Sequence, residues 1–374
     1  MKIREVRATP VRVRRSPRFL PKTAHGEVTA SEYVVLEVET DDGLTGLGEV
    51  TCSPRWSGEE AVGTVALVGH ELDPAIRGLD PWNWAVIAAR LKTVFGCRPF
   101  LRAGIEMACL DLAGREKNLR VVDLLGGAYR EKIATKFVLP GRGTAVVRDM
   151  ARDLSDLDVD VVKVKVGLGV ADDIARVAAV REELRPGVRL TVDANEGWQP
   201  EEARVALAEL AASGIAAVEQ PLPRSAWGAS AALRGFTAAA IVGDESIWTM
   251  TDAARAAETG AFDMVSIYPG KCGGLRSTLM IAEAAAALGL GVTFGSNLEL
   301  GIGAAALAHT IAASPVVSPV VPSDLIGPLY FESSLITDDS FVGWRSAELP
   351  AGPGLGVELD REALADHRMD GAAK

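Results

Sequence analysis

Seven polar residues, Lys165, Asp193, Glu219, Asp244, Lys271, Glu299 and Asp324, recur along the chain at intervals of 28, 26, 25, 27, 28 and 25 residues. Six of the seven end or closely follow a short apolar, β-branched run. That interval is about the length of one strand–loop–helix–loop unit, and a barrel of parallel strands sets the residue after each strand on a common rim. The spacing therefore predicts carboxylates and lysines from consecutive strands around one point. Asp193 (TVDANEGW), Glu219 (AVEQPL) and Asp244 (VGDES) stand in the middle. Together they offer the oxygen ligands that Mg²⁺ prefers and leave positions for water or a substrate carboxylate. Without a cation they would repel one another and one would hold a proton. Each alone also reads as an acid capping a helix N-terminus, but that reading gives no reason for three in succession between lysines.

The lysines flank this set. In VVKVKVG, Lys163 and Lys165 share one face of a strand and the valines take the other. Pointing into a barrel mouth, two ammonium groups are costly unless carboxylates or a substrate anion lie opposite; taken alone they also read as a structural ion-pair set. Lys271 (YPGKCGG) follows the sixth strand, so barrel order places it across the metal from Lys165. Burial and a neighbouring cation both ease a lysine toward its neutral, basic form. A metal on the substrate carboxylate makes removal of the adjacent proton feasible.

The elements that must hold these residues are legible in outline. Ile3–Val13, Tyr33–Thr40 and Leu44–Val50 alternate as strands of an antiparallel meander, with Asp42-Gly43 as a turn. Polar loops Arg14–Ser31 and Thr51–Glu59 leave it, and 59–125 reads as helices, Glu59–Leu72 and Arg102–Glu116 among them. From about residue 132 strands and helices alternate. The strands are Thr135–Leu139, Val161–Val166, Arg189–Asp193, Ala216–Glu219, Ile241–Asp244, Met264–Ile267, Gly291–Phe294 and Val316–Val321. Pro200 and Gly214 punctuate one intervening helix. Eight strands with helical connections predict an α/β barrel, and the tail at Pro350–Leu359 is expected to return to the N-terminal part.

Bulk properties exclude other classes. A chain of 374 residues that is 48% hydrophobic buries a large core, and its net charge of −11 opposes nucleic-acid binding. No apolar run of about 18 residues predicts a membrane span. The first residues lack the apolar core of a signal peptide. Four cysteines without ligand or disulfide spacing fit a reduced, cytoplasmic compartment.

On Lys163-Val164-Lys165, Asp193, Glu219, Asp244 and Lys271, the chain resembles the enolase superfamily in its muconate-lactonizing subgroup. The resemblance extends to AGIEMACLDLAG with LLGG, SNLELGIG, SDLIGPLYFE and PAGPGLGVEL, so it covers nearly the whole chain. It implies a modified TIM barrel, (β/α)7β, under an N-terminal α+β capping domain completed by the C-terminal tail. The implied divisions are 1–128, 129–328 and 329–374. Lys165 and Lys271 would be the acid/base pair, and Asp193, Glu219 and Asp244 would hold Mg²⁺ or Mn²⁺. Lys163 would lie beside the metal-bound carboxylate, with Glu299, Asp324 and Asn297 lining the pocket. Asn195, Glu245 and Asp263 would orient ligands or a lysine. The two loops would close over the substrate through Arg55, Trp56 and Phe19. Self-association, as dimers up to octamers, is also implied.

Absences narrow the choice. Gly291–Gly303 has no histidine of the mandelate-racemase kind, and Ser323-Asp324 lacks the first acid of the Asp-x-Asp found in dipeptide epimerases. Muconate cycloisomerisation, N-acylamino acid (succinylamino acid) racemisation and o-succinylbenzoate-type dehydration remain; all would form an enolate from a carboxylate substrate. Arg18, Lys22 and Arg55 on the closing loops favour a substrate with a second carboxylate, hence muconate. They also read as ordinary surface charges. A barrel that binds a small acid without turnover is disfavoured, because both lysines are present.

Overall fold

The computed structural model describes residues 1–17, 20, 22–155, 157 and 159–369. Three antiparallel strands open the chain: β1 (Ile3–Arg14), β2 (Ala30–Thr40) and β3 (Thr45–Cys52), with β2 in the centre. Helix α1 (Pro99–Lys117) packs across them. The contact is backbone on backbone. A Cβ on Gly48 would stand 2.0 Å from the Gly104 carbonyl oxygen, and one on Gly46 would stand 2.2 Å from that of Ala108. Only glycine allows this approach. Glu59 fixes where α1 begins: its carboxylate accepts from the backbone N–H groups of Phe100 (2.8 Å) and Leu101 (3.0 Å). Asn118, left-handed at φ 54°, ends it.

Seven parallel strands follow in sequential order. They are β4 (Phe137–Leu139), β5 (Val161–Lys165), β6 (Arg189–Asp193), β7 (Ile215–Glu219), β8 (Ala240–Gly243), β9 (Met264–Ile267) and β10 (Gly291–Phe294). Helices α2 (Thr144–Ser155), α3 (Val170–Glu183), α4 (Pro200–Leu210), α5 (Trp227–Leu233), α6 (Met250–Thr259), α7 (Leu275–Ala287) and α8 (Gly301–Ala313) connect or follow them. Gly214, at φ 63°, closes the turn after α4 as the sequence predicts.

The expected eighth strand, Val316–Val321, is not one. Pro319 removes a ladder donor inside this stretch, and Pro315 and Pro322 remove one at each flank. It still closes the barrel with single bonds. Ser318 donates to the Val292 carbonyl (2.7 Å) and Asp324 to that of Phe294 (2.9 Å), while Lys136 N donates to the Ser323 carbonyl (3.0 Å). Val321 is buried with Ala217, Val242 and Met264 in a small apolar cluster.

Cap and barrel are locked together. Glu49 on β3 accepts from Leu300 N (2.8 Å) and Gly303 N (2.9 Å), at the start of α8. Every residue of α8 is buried. The tail returns to the cap: Leu355 N donates to Asp111 Oδ1 (2.8 Å), Arg12 N to the His367 carbonyl (2.9 Å), and Met369 N to the Pro10 carbonyl (2.9 Å). No helix among the described residues is long and apolar enough to cross a membrane.

Candidate active site

Strand register brings the chemistry to one level. Lys165 pairs with Asp193 across β5–β6, Asp193 with Glu219 across β6–β7, and Glu219 with Val242, two residues before Asp244. All four side chains line one cavity of about 630 Å³ with Lys163, Asn195 and Asp324. Lys163 and Lys165 share the inner face, as alternation requires. Lys163 Nζ donates to Asp324 Oδ2 (2.7 Å) and Glu219 Oε2 (3.1 Å) and lies 3.6 Å from Asp193 Oδ2. Lys165 Nζ donates to Asp193 Oδ2 (2.5 Å) and Asn195 Oδ1 (2.9 Å). On the far side, the buried Lys271 Nζ donates to the carbonyls of Asp244 (2.8 Å) and Ser266 (2.7 Å) and to the Asp244 carboxylate. Three strands, β6 to β8, separate the two lysine-bearing units, half of an eight-place barrel.

The electrostatics follow from burial among opposed charges. Burial would lower the Lys163 pKa, but Asp324, Glu219 and Asp193 outweigh it and hold it well above the usual value. Burial works against Glu219 ionisation too, yet Lys163, Lys136 and Lys165 bring its carboxyl down to about 2. Asp244 moves the other way, to about 7. Burial is the main cause, Lys271 opposes it, and the charges of Glu245 and Glu219 add to it. Carboxylates with such divided behaviour in one cavity mark a functional centre.

Asp193, Glu219 and Asp244 present carboxylate oxygens alone, the hard donor set that suits Mg²⁺ or Mn²⁺. Each is drawn onto its own lysine, so the three do not close to within 4.8 Å of one another. Among the described residues, His25, Glu196 and Glu245 are the trio that does. Glu196 is already clamped by Arg224, whose Nη2 lies 2.8 Å from its Oε2. Asp193, Glu219 and Asp244 all line the cavity, whereas of that trio only His25 does, so the strand-end carboxylates are the set placed to meet a ligand.

Other expected residues divide. Glu245 Oε1 accepts from Asn195 Nδ2 (3.0 Å) and Trp56 Nε1 (3.4 Å) and lies 3.2 Å from His25 Nε2. It thereby joins both loops of the cap to the strand ends. Trp56 stacks on Trp248, ring centroids 4.8 Å apart. Arg55 is exposed and lines the cavity, as does Asn297. Phe19 and Arg18 lie outside the described residues.

Two expectations need correction. Asp263 sits at the start of β9, on the opposite rim, where it accepts from Ile241 N (2.8 Å) and pairs with Arg234 (2.6 Å). Glu299 does not line the cavity. Leu298, left-handed at φ 58°, turns the chain, and Glu299 folds back to accept from Ser296 Oγ (2.5 Å) and Asn297 N (3.1 Å).

The sequence reading passed over three residues. Lys136, buried, donates to the Pro322 carbonyl (2.7 Å) and pairs with Asp324 Oδ1 (3.1 Å). A lysine inside the apolar run around β4 was the available signal. Gln220 accepts through Oε1 from Asp244 N (2.9 Å) and Ser246 N (3.2 Å), fixing the Asp244–Ser246 turn. His25 reaches Glu245 from a short hairpin in the first loop. Neither Gln220 nor His25 had a periodic signal.

Residues 3–126 match the N-terminal domain of the mandelate racemase / muconate lactonizing enzyme family, and residues 145–363 match the enolase C-terminal domain-like family. The chain is 32% identical over 335 residues to a chloromuconate cycloisomerase of Cupriavidus pinatubonensis, covering 88% of this chain and 90% of the relative. It is 31% identical over 359 residues to a hydrophobic dipeptide epimerase of Enterococcus faecalis, covering 96% and 99%. The crystal structure of muconate lactonizing enzyme from Pseudomonas fluorescens complexed with muconolactone superposes with a TM-score of 0.93 at 30% identity, covering 98% of this chain and 99% of that one. With the lysine pair, the strand-end carboxylates and both domains accounted for, this chain belongs to the enolase superfamily, in its muconate-lactonizing-enzyme-like subgroup, and is an enzyme.

Proposed function

We propose that the enzyme moves a proton at the carbon next to a substrate carboxylate, with Lys165 and Lys271 as the two proton carriers, and that its reaction is the lactonisation of a muconate. The observation that carries this is the placement of the two lysines on opposite sides of Asp193, Glu219 and Asp244. A divalent cation, Mg²⁺ or Mn²⁺, held by those carboxylates would draw electron density from the substrate carboxylate and acidify the neighbouring carbon. In lactonisation, the other carboxylate adds to the conjugated double bond. The displaced electron pair reaches the α-carbon, and one lysine ammonium quenches it with a proton while the other holds its own carboxylate partner, Asp193 or Asp244, in place. Lys163 would supply fixed positive charge beside the carboxylate that the metal holds. Asn195 and Glu245 hold Lys165 and the loop carrying Trp56 in place. The reading places the cap at 1–128 and 329–374, the barrel at 129–328, and includes assembly into homo-oligomers.

A second reading, racemisation of an N-succinylamino acid, has one observation in its favour. The cavity, at about 630 Å³, is larger than a six-carbon diacid fills. The same two lysines would then take and return the α-proton on opposite faces.

The test is incubation with Mg²⁺ and cis,cis-muconate in D₂O, followed by NMR. A lactone bearing one stereospecific deuterium is expected, with turnover reduced about 10²- to 10⁴-fold in Lys165→Ala and in Lys271→Ala. Full turnover in either variant would refute the two-lysine mechanism. If no lactone forms while an N-succinylamino acid exchanges its α-proton, the second reading replaces the first.

A further inference from the structure

The wall of the cavity formed by the cap holds a cation with no anion. Arg15 follows β1 and is only 9% exposed, yet it lines the same cavity as the catalytic cluster. Its guanidinium makes one side-chain hydrogen bond, from Nη2 to Ser31 Oγ (2.7 Å), and stacks 4.7 Å above the Phe331 ring. Nε and Nη1 are buried without an acceptor. No carboxylate lies within ion-pair reach among the described residues, in contrast to Lys136 and Lys163, each paired with Asp324. Removing a guanidinium from water without a counter-charge costs several kcal/mol. Burial shows the same imbalance by lowering the Arg15 pKa, with nothing but Tyr33 to offset it.

The surroundings say where this charge acts. Phe331 meets Tyr33 edge to face, ring centroids 5.8 Å apart. Tyr33 OH donates to the Leu298 carbonyl (2.6 Å). Arg15 is thus anchored, through two rings, to the turn after β10 where Asn297 lines the cavity. Asn297 Nδ2 is a second buried donor without an acceptor. Arg15 is the second residue of the expected loop Arg14–Ser31, but an antiparallel bridge to Phe331 still holds it beside the end of β1. It belongs to the rigid edge of the cap, against the tail residue Phe331.

We propose that Arg15 is a specificity-determining residue that receives the second carboxylate of the substrate from the cap wall of the cavity. This rests on the reading of the cavity as an enolising site and deepens it by restricting the substrate to dicarboxylates. A planar guanidinium suits a carboxylate better than a neutral carbonyl, and a charge-assisted hydrogen bond here replaces no existing protein partner.

The experiment compares paired ligands that differ by one carboxylate. Binding of N-succinylglycine and N-acetylglycine, and separately of the saturated diacid adipate and its monomethyl ester, is measured by calorimetry with Mg²⁺ for the wild-type chain, Arg15→Met and Arg15→Lys. Methionine keeps the stack on Phe331; lysine keeps the charge and serves if Arg15→Met does not fold. The wild type is expected to favour each diacid about 10- to 100-fold, and Arg15→Met to abolish that preference. It should leave monoacid affinity within about threefold, and Arg15→Lys should retain part of the preference. Equal losses for diacid and monoacid, or an unchanged ratio, would overturn the proposal and leave Arg15 a packing residue. Because binding is read without turnover, the ratio stands or falls on its own. Loss of α-proton exchange in the Lys165 and Lys271 variants tests the enolising reading separately.

Discussion

Gln220→Met should damage both the fold and the metal affinity of this enzyme. Gln220 is fully buried at φ 35° directly after Glu219. Its Oε1 accepts from Asp244 N and Ser246 N, and its Nε2 donates to the Leu222 carbonyl (2.8 Å) and to Ser246 Oγ (3.0 Å). Methionine fills the same volume without strain but leaves three buried backbone groups unpaired; Ser246 Oγ keeps its bond to the Arg224 carbonyl (3.1 Å). Each orphaned group costs about 1–3 kcal/mol, so unfolding stability should fall by about 3–6 kcal/mol after partial relaxation. That is a large share of the 5–15 kcal/mol typical of a domain. Asp244 is also released at its backbone, so the Mg²⁺ concentration for half-maximal activity should rise about tenfold, or about 1.4 kcal/mol. Urea unfolding monitored by circular dichroism, paired with a Mg²⁺ titration of activity, reads both. A loss below about 1 kcal/mol with an unchanged Mg²⁺ midpoint would refute the view that Gln220 holds the Asp244 turn.

Two other perturbations probe the joint between cap and barrel. Burial, against the pull of its bonds from Gly303 and Leu300, raises Glu49 from 4.5 to about 8. A carboxyl raised in the folded state stabilises it fully below the unfolded value, and that contribution is lost as pH rises through the folded one. Urea midpoints should therefore drop by more between about pH 4.5 and pH 8 in the wild type than in Glu49→Gln, and parallel pH profiles would exclude Glu49 as the cause. Gly48→Ala forces a methyl 2.0 Å from the Gly104 carbonyl oxygen, so β3 and α1 must separate. A loss of about 3 kcal/mol in thermal unfolding is expected, and an unchanged Tm would mean that the interface yields freely.

The rim of strand-end lysines and carboxylates was readable because a barrel converts sequence period into position: the residue after each strand recurs once per unit. Lys165, Asp193, Glu219, Asp244 and Lys271 all carry that signal. Asp263 does not, since it precedes its strand, and the opposite rim is where such a residue must fall. Glu299 has the right spacing but the wrong direction, which Leu298 sets through a left-handed turn invisible in residue types. The Val316–Val321 run has strand composition and strand place, yet one proline inside it and one at each flank leave too few donors for a ladder. Lys136, Gln220, His25 and Arg15 act through contacts between segments far apart in sequence. Their positions follow no period, so only the folded chain brings them to notice.

Residues 10–12 and 367–369 meet at the edge of the cap, where Arg12 donates to the His367 carbonyl and Met369 to that of Pro10. Strand β1 precedes the barrel in the chain, and these partners follow it, so β1 is synthesised well before them. Until those partners arrive, its outer edge offers unpaired backbone groups to any neighbouring strand. Growth of the chain therefore leaves the cap, which carries Arg15 and the closing loops, as the part most exposed to mispairing. A barrel completed before its cap closes would have its lysines and carboxylates in place without the wall that selects what reaches them.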